Sequence, residues 1–207
     1  MRSPLVFLAL ALVAGVPPAA AQPGDPPGGL GAGAPLPEPD LTLTAADGRA
    51  LSVRSAMGPN GLVVVFWSNG CPWAERNAER LAALGRDYSP AGIGFVAVNP
   101  NDPATLPAEG AEGMQRAAAA LGFPYLSDEG GALARAFGVR SAPTTFLFDA
   151  AGRLVYEGAI DDSPADPASV EVPYLQQAMD QHLAGVAVEV QRTAALGCAV
   201  QAAGAAR

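Results

Sequence analysis

The segment Leu62 to Trp67 (LVVVFW) restricts what this chain can fold into more than any other. An unbroken aliphatic, β-branched and aromatic run suits a strand buried on both faces, as in the centre of a partly parallel sheet. Such a strand needs helices above and below it. The next stretch supplies one: from Pro72 to Tyr88, Ala74, Ala78, Leu81, Gly85 and Tyr88 recur at three- and four-residue steps, one face of a helix. Pro72 suits the first helical position, where a missing N–H loses nothing. Cys71 is thereby predicted at the N-cap, at the carboxyl end of a central strand, facing orphan N–H groups and the positive end of the helix dipole. A thiolate is favoured there, and the thiolate is the reactive form. Sites in open α/β sheets also lie beyond the carboxyl ends of strands. A cysteine serving as a small buried hydrophobe is the alternative reading.

The same reasoning extends along the chain. Leu41 to Val53, turning at Asp47-Gly48, reads as a hairpin, and Ile93 to Val98 (IGFVAV) as a second buried strand. Met114 to Leu121, Leu133 to Phe137 and Pro173 to Leu183 read as helices; Thr144 to Phe148 and Leu154 to Tyr156 read as strands joined by a turn. Strands alternating with helices and ending in a hairpin predict an α/β domain with a central sheet covered on both faces. The domain is expected over 40–185, between a Pro/Gly-rich linker at 22–39 and a C-terminal tail at 186–207 with little regular structure. Gln22 to Pro39 offers almost no bulky apolar side chain to offset its ordering entropy. Residues 1–21 read as a secretory signal: Arg2, an apolar run from Pro4 to Val16, and Ala19-Ala20-Ala21 before Gln22. An uncleaved anchor is the rival reading, but the run is shorter than the ~20 residues that span a bilayer. A secreted or periplasmic protein, free of the membrane after cleavage, is expected, in a compartment where disulfides persist.

Composition removes several function classes. Acidic residues outnumber basic ones 20 to 12, which leaves no electrostatic footprint for nucleic acid. All 12 basic residues are arginine, so neither a lysine Schiff base nor a P-loop is available. With one histidine (His182) and two cysteines, a Cys/His zinc site lacks ligands. The acidic loop Asp161 to Asp166 reads as a solvated turn. No metal or other cofactor is expected.

Phe66-Trp67-Ser68-Asn69-Gly70-Cys71-Pro72 resembles the thioredoxin-like superfamily, in which the strand ends Phe-Trp and leads into the nucleophilic cysteine. The resolving position of a C-x-x-C pair holds Ala74, so no dithiol mechanism is available within the loop. The chain is more similar to the redoxin branch related to peroxiredoxins (alkyl hydroperoxide reductase and thiol-specific antioxidant proteins). Ser68 to Pro72, Asn99-Pro100-Asn101-Asp102, Ile160-Asp161-Asp162 and Gly197-Cys198 carry that resemblance. It implies a thioredoxin-like fold and a thiol-disulfide oxidoreductase or thiol peroxidase acting through Cys71. Its substrate would be a hydroperoxide or protein disulfide, and an external thiol its reductant. Ser68 matches the Thr or Ser that precedes the peroxidatic cysteine of peroxiredoxins, which implies a hydroxyl serving the thiolate; an ordinary loop hydroxyl is the alternative. The peroxiredoxin proline four residues earlier is Val64 here, which weakens the case for peroxide activation. Ser141-Ala142-Pro143-Thr144 resembles the cis-proline loop that packs against the active cysteine; an ordinary trans proline opening an edge strand is the other reading. Arg140 and Arg76 are candidate cations for steadying a thiolate, and Trp73 a candidate exposed lip.

Two cysteines in an exported chain usually pair. Bridging Cys71 and Cys198 closes a loop of about 127 residues, worth about 4–5 kcal/mol of chain entropy. Cys198 is then either the resolving thiol of a redox cycle or one end of a permanent staple in a non-catalytic thioredoxin-fold scaffold. Metal or haem-thiol handling is the weakest reading, because no His or Met accompanies Cys71.

Overall fold

The computed structural model describes residues 29–203. The signal-like segment 1–21 lies outside them. A seven-stranded mixed sheet forms the centre of the molecule. Its middle is β3 (Gly61–Phe66), every residue of which is buried; it runs parallel to β4 (Ile93–Asn99) and antiparallel to β7 (Thr144–Phe148). Beyond β4 come β5 (Tyr125–Ser127) and the hairpin β1 (Leu43–Ala45) and β2 (Ala50–Leu51); β8 (Leu154–Gly158) closes the other edge.

Alternation along β3 divides the core in two. Val63 and Val65 face Ala74 and Leu81 of α1 (Pro72–Tyr88), Met114 and Leu121 of α2 (Ala111–Leu121), and Leu175 and Met179 of α4 (Tyr174–Leu183). Leu62, Val64 and Phe66 face Leu133 and Phe137 of α3 (Ala132–Phe137) together with Leu36 and Val53. Phe137 meets Phe66, Phe146 and Phe148 edge-on, with ring centroids 5.0–5.9 Å apart, a favoured aromatic arrangement. Helices thus cover both faces, as the strand pattern predicts.

Three expectations need correction. Residues 29–39 are not a free linker: Leu36 is buried, and Gly33 N and Leu36 N donate to the carbonyls of Leu154 and Gly152 at 2.8 Å, so this stretch lines the open edge of β8. Leu30 and Leu36 supply the apolar anchors that a Pro/Gly count overlooks. The C-terminal segment is also seated. Val188 is buried, Thr193 Oγ1 accepts from Ala159 N at 2.9 Å, and β9 (Cys198–Ala199) pairs antiparallel with β6 (Ser141–Ala142). Backbone pairing, the Cys198 disulfide and the Arg192–Glu157 ion pair hold it, and none of these leaves a hydrophobic period in the sequence. The acidic loop is solvated only in part: Asp162 and Asp166 are exposed, but Asp161 is buried and ion-paired with Arg80. No helix among the described residues is long and apolar enough to cross a membrane.

Two buried tyrosines bear on alkaline stability. Burial, aided by the charge of Glu109, pushes the Tyr125 phenol well up, and burial likewise raises Tyr156. A folded-state pKa above the unfolded value of ~10 gives stability that is complete below pH ~10 and lost as pH rises through the folded value. Above pH ~10, phenolate absorbance of these two tyrosines is expected to appear together with loss of far-ultraviolet ellipticity. Ionisation well before unfolding would contradict their burial.

Candidate active site

Cys71 is the N-cap of α1, with extended backbone (φ −92°, ψ 120°), and Pro72 opens the helix. Its carbonyl accepts the first helical bond from Glu75 N at 3.0 Å. β3 and α1 together therefore hold the sulfur where the sheet's carboxyl edge meets a helix start. Cys71 is only 1% exposed, packed in the core, and is disulfide-bonded to Cys198, with Cα atoms 5.8 Å apart. Ala142, whose peptide bond to Pro143 is cis, pairs directly with Cys198, so β6, Pro143 and both cysteines share one locus.

The other expected residues are distributed unevenly around it. Ser68 is buried, and its hydroxyl donates to Glu109 Oε1 at 2.5 Å. Its single O–H is thus committed to a carboxylate and not to the sulfur. Arg140 is exposed and serves the site through its backbone, its carbonyl accepting from Val200 N at 2.9 Å. Arg76 lies over the Trp73 ring, 5.4 Å from its centroid, and Trp73 packs half-buried against the core. His182 is remote from the cysteines in the fold: it sits on α4 with Nε2 2.7 Å from Asn60 O. Among the described residues no cluster of His, Cys, Asp or Glu is arranged to hold a metal ion.

Sequence reasoning missed Glu109. It ends a short 3-10 turn, Pro107–Glu109, and is 2% exposed. Oε1 accepts from Ser68 Oγ and Gly70 N (3.2 Å), and Oε2 from Asn69 N (2.8 Å). One carboxylate therefore binds all three residues that lead into Cys71. Asn99 Nδ2 donates to the Glu109 carbonyl at 3.1 Å, and Tyr125 Oη donates to Asn69 Oδ1 at 3.0 Å. A lone Glu in a polar loop carries no spacing signal; its role exists only because the β4–α2 connection folds under the Ser68–Gly70 loop.

This arrangement coincides with a match to the AhpC/TSA family over residues 34–157. The chain belongs to the AhpC/TSA family. That match spans the strand and helix that place Cys71, while Cys198 lies beyond it. Among curated relatives, the chain is 30% identical over 118 residues to the thiol-disulfide oxidoreductase ResA of Halalkalibacterium halodurans, covering 56% of this chain and 62% of that one. The chain thus spans about three fifths of the length of the curated relatives it matches. An uncharacterized conserved protein from Geobacillus kaustophilus has a similar structure: TM-score 0.78, 31% identity, 86% of this chain and 95% of that one. The thioredoxin domain of a thiol-disulfide oxidoreductase from Bacteroides vulgatus, at TM-score 0.52 and 18% identity over 62% of this chain and 88% of that one, shares the fold. The AhpC/TSA chain is thus thioredoxin-like in architecture.

Proposed function

We propose that this protein is an exported thiol-disulfide oxidoreductase in which Cys71 is the nucleophile and Cys198 the resolving thiol. The observation that carries the reading is the Cys71–Cys198 bond at the N-terminus of α1, against the β6–Pro143 loop. A thiolate at Cys71 faces the helix's unpaired N–H groups and the positive end of its dipole, which favours the form that attacks disulfides. In the reduced protein Cys71 attacks a substrate disulfide, forming a mixed disulfide and expelling one substrate thiolate. Cys198 then attacks Cys71 Sγ, releasing the second thiolate and restoring the Cys71–Cys198 bond. An external thiol returns the pair to the reduced state. The names of the curated relatives support this chemistry, and a lasting disulfide fits an oxidising compartment. A protein disulfide is the preferred substrate over a hydroperoxide, because the Ser68 hydroxyl is occupied by Glu109 and Val64 stands where peroxiredoxins carry proline.

A permanent staple in a scaffold is the second reading, favoured by the near-complete burial of Cys71. Two measurements separate them. After reduction, iodoacetamide alkylation of Cys71 from pH 4 to 9 is expected to reach its half-maximal rate below the ordinary thiol value of ~8.5. A Cys198→Ser variant is expected to accumulate a stable mixed disulfide on Cys71 with a peptide disulfide. Alkylation at an ordinary or higher pH, with no trapped adduct, would establish the staple.

A further inference from the structure

Beyond the Cys198 disulfide, residues 197–201 are gripped from two sides through their backbone. On one side Ala142 pairs with Cys198, Ser141 with Ala199, and the Arg140 carbonyl accepts from Val200 N at 2.9 Å. On the other, Asn101 Oδ1 accepts from Gln201 N at 2.8 Å and Asp102 N donates to Gln201 O at 2.9 Å. Asn101 is itself 2% exposed, and its backbone N–H donates to Asn99 Oδ1 at 3.1 Å. The Asn99-Pro100-Asn101-Asp102 segment is therefore a backbone clamp: Asn99 fixes the loop, and Asn101 and Asp102 hold both backbone polar groups of Gln201, two residues past β9.

Backbone recognition of this kind does not read side chains, with one exception. A Cβ on Gly197 would lie 2.4 Å from Ala142 O and 2.6 Å from Ala142 C. Those are backbone atoms of β6 and cannot swing away. The residue before the cysteine must therefore be glycine, or the strand must lift off β6.

We propose that β6 and the Asn101–Asp102 clamp form a strand slot for an extended polypeptide carrying Gly-Cys in a disulfide, and that the chain's own Gly197-Cys198 segment fills the slot in the oxidised protein as an intramolecular competitor. This rests on the oxidoreductase reading. In the reduced protein the tail leaves the slot, a substrate strand enters, and Cys71 thiolate attacks its disulfide: the Cys71–substrate S–S bond forms and the substrate's own S–S bond breaks. The departing thiolate takes the electron pair and then a proton from solvent. When Cys198 returns it attacks Cys71 Sγ, so that re-forming the Cys71–Cys198 bond and re-seating residues 197–201 expel the substrate thiol together. The substrate disulfide gains two electrons and the two cysteines lose them.

Two arms test this separately. In reduced Cys198→Ser protein, the peptide Leu-Gly-Cys-Ala-Val-Gln, activated on its cysteine as the 5-thio-2-nitrobenzoate disulfide, is expected to react with Cys71 at least tenfold faster than its Leu-Ala-Cys-Ala-Val-Gln counterpart. Free 5,5′-dithiobis(2-nitrobenzoate) serves as the small-reagent control. Equal peptide rates with normal labelling by the small reagent would overturn the slot while leaving the oxidoreductase reading intact. Failure of the small reagent to label Cys71 would overturn that reading and substrate entry with it. In the wild-type sequence, the equilibrium of the Cys71–Cys198 bond against a glutathione buffer reads the clamp alone. Asn101→Ala is expected to shift it about tenfold toward the reduced form, the loss of one half-buried hydrogen bond, and Asn101→Asp, which keeps an Oδ acceptor, to shift it less. An unchanged equilibrium in Asn101→Ala would overturn the clamp whatever Cys71 reacts with.

Discussion

Replacing Cys71 with serine is expected to reduce turnover of a peptide disulfide to the uncatalysed background, a loss on the order of 10⁴-fold or more, as for removal of a covalent nucleophile. A serine hydroxyl does not ionise near neutral pH, so the helix N-terminus has no anion to stabilise. The second cysteine should behave differently. Cys198→Ser keeps the first attack and loses only the resolving one, so it gives a stoichiometric burst of released thiolate and then stalls until external thiol is added. Stopped-flow measurement of that burst checks both variants. A Cys71→Ser protein that still turned over at more than a few per cent of the wild-type rate would transfer the nucleophile to Cys198 and overturn the assignment. The asymmetry follows from position: Cys71 lies at the end of a fully buried strand and the start of a long helix, whereas Cys198 sits on a two-residue strand near the C-terminal end of the chain.

What could be read in advance divides along the same line. Leu62 to Trp67 and the periodic stretch from Pro72 to Tyr88 contain enough local information to specify β3 and the full span of α1. Both are long, and both bury a regular face. β5 escaped notice because it is only three residues, Tyr125–Ser127, and its strand character comes from pairing with Ala97 to Asn99, not from its own composition. The N-terminal stretch and the C-terminal segment escaped for a related reason. Apart from a few apolar anchors such as Leu36 and Val188, each is held largely by main-chain hydrogen bonds to an edge already built by other residues, and a main chain looks alike whatever the side chains are. In the site, Cys71, Cys198 and Pro143 carry side-chain chemistry or backbone constraint visible in isolation. Glu109 and Asn101 act only through partners some forty and one hundred residues away.

Glu109 is where that hidden part of the site can be weighed. Glu109→Ala would leave the Ser68 hydroxyl and the Asn69 and Gly70 N–H groups without their acceptor. A hydrogen bond to a charged acceptor contributes ~1.5–3 kcal/mol, and an orphaned buried donor retains its desolvation penalty. Water reaches the half-buried Asn69 and the exposed Gly70 more readily than Ser68, which offsets part of the loss. The expected destabilisation is therefore about 3–5 kcal/mol, read as a lower urea midpoint with an unchanged slope. Glu109→Gln is expected to fall between the two, because its carbonyl oxygen still accepts while its NH₂ group faces a donor. The loop that Glu109 holds is the one that delivers Cys71, so the Gln variant, assayed under conditions where it remains folded, should also form the mixed disulfide more slowly. An alanine variant within ~1 kcal/mol of wild type would mean that solvent satisfies these donors and that the carboxylate is not what shapes the approach to Cys71.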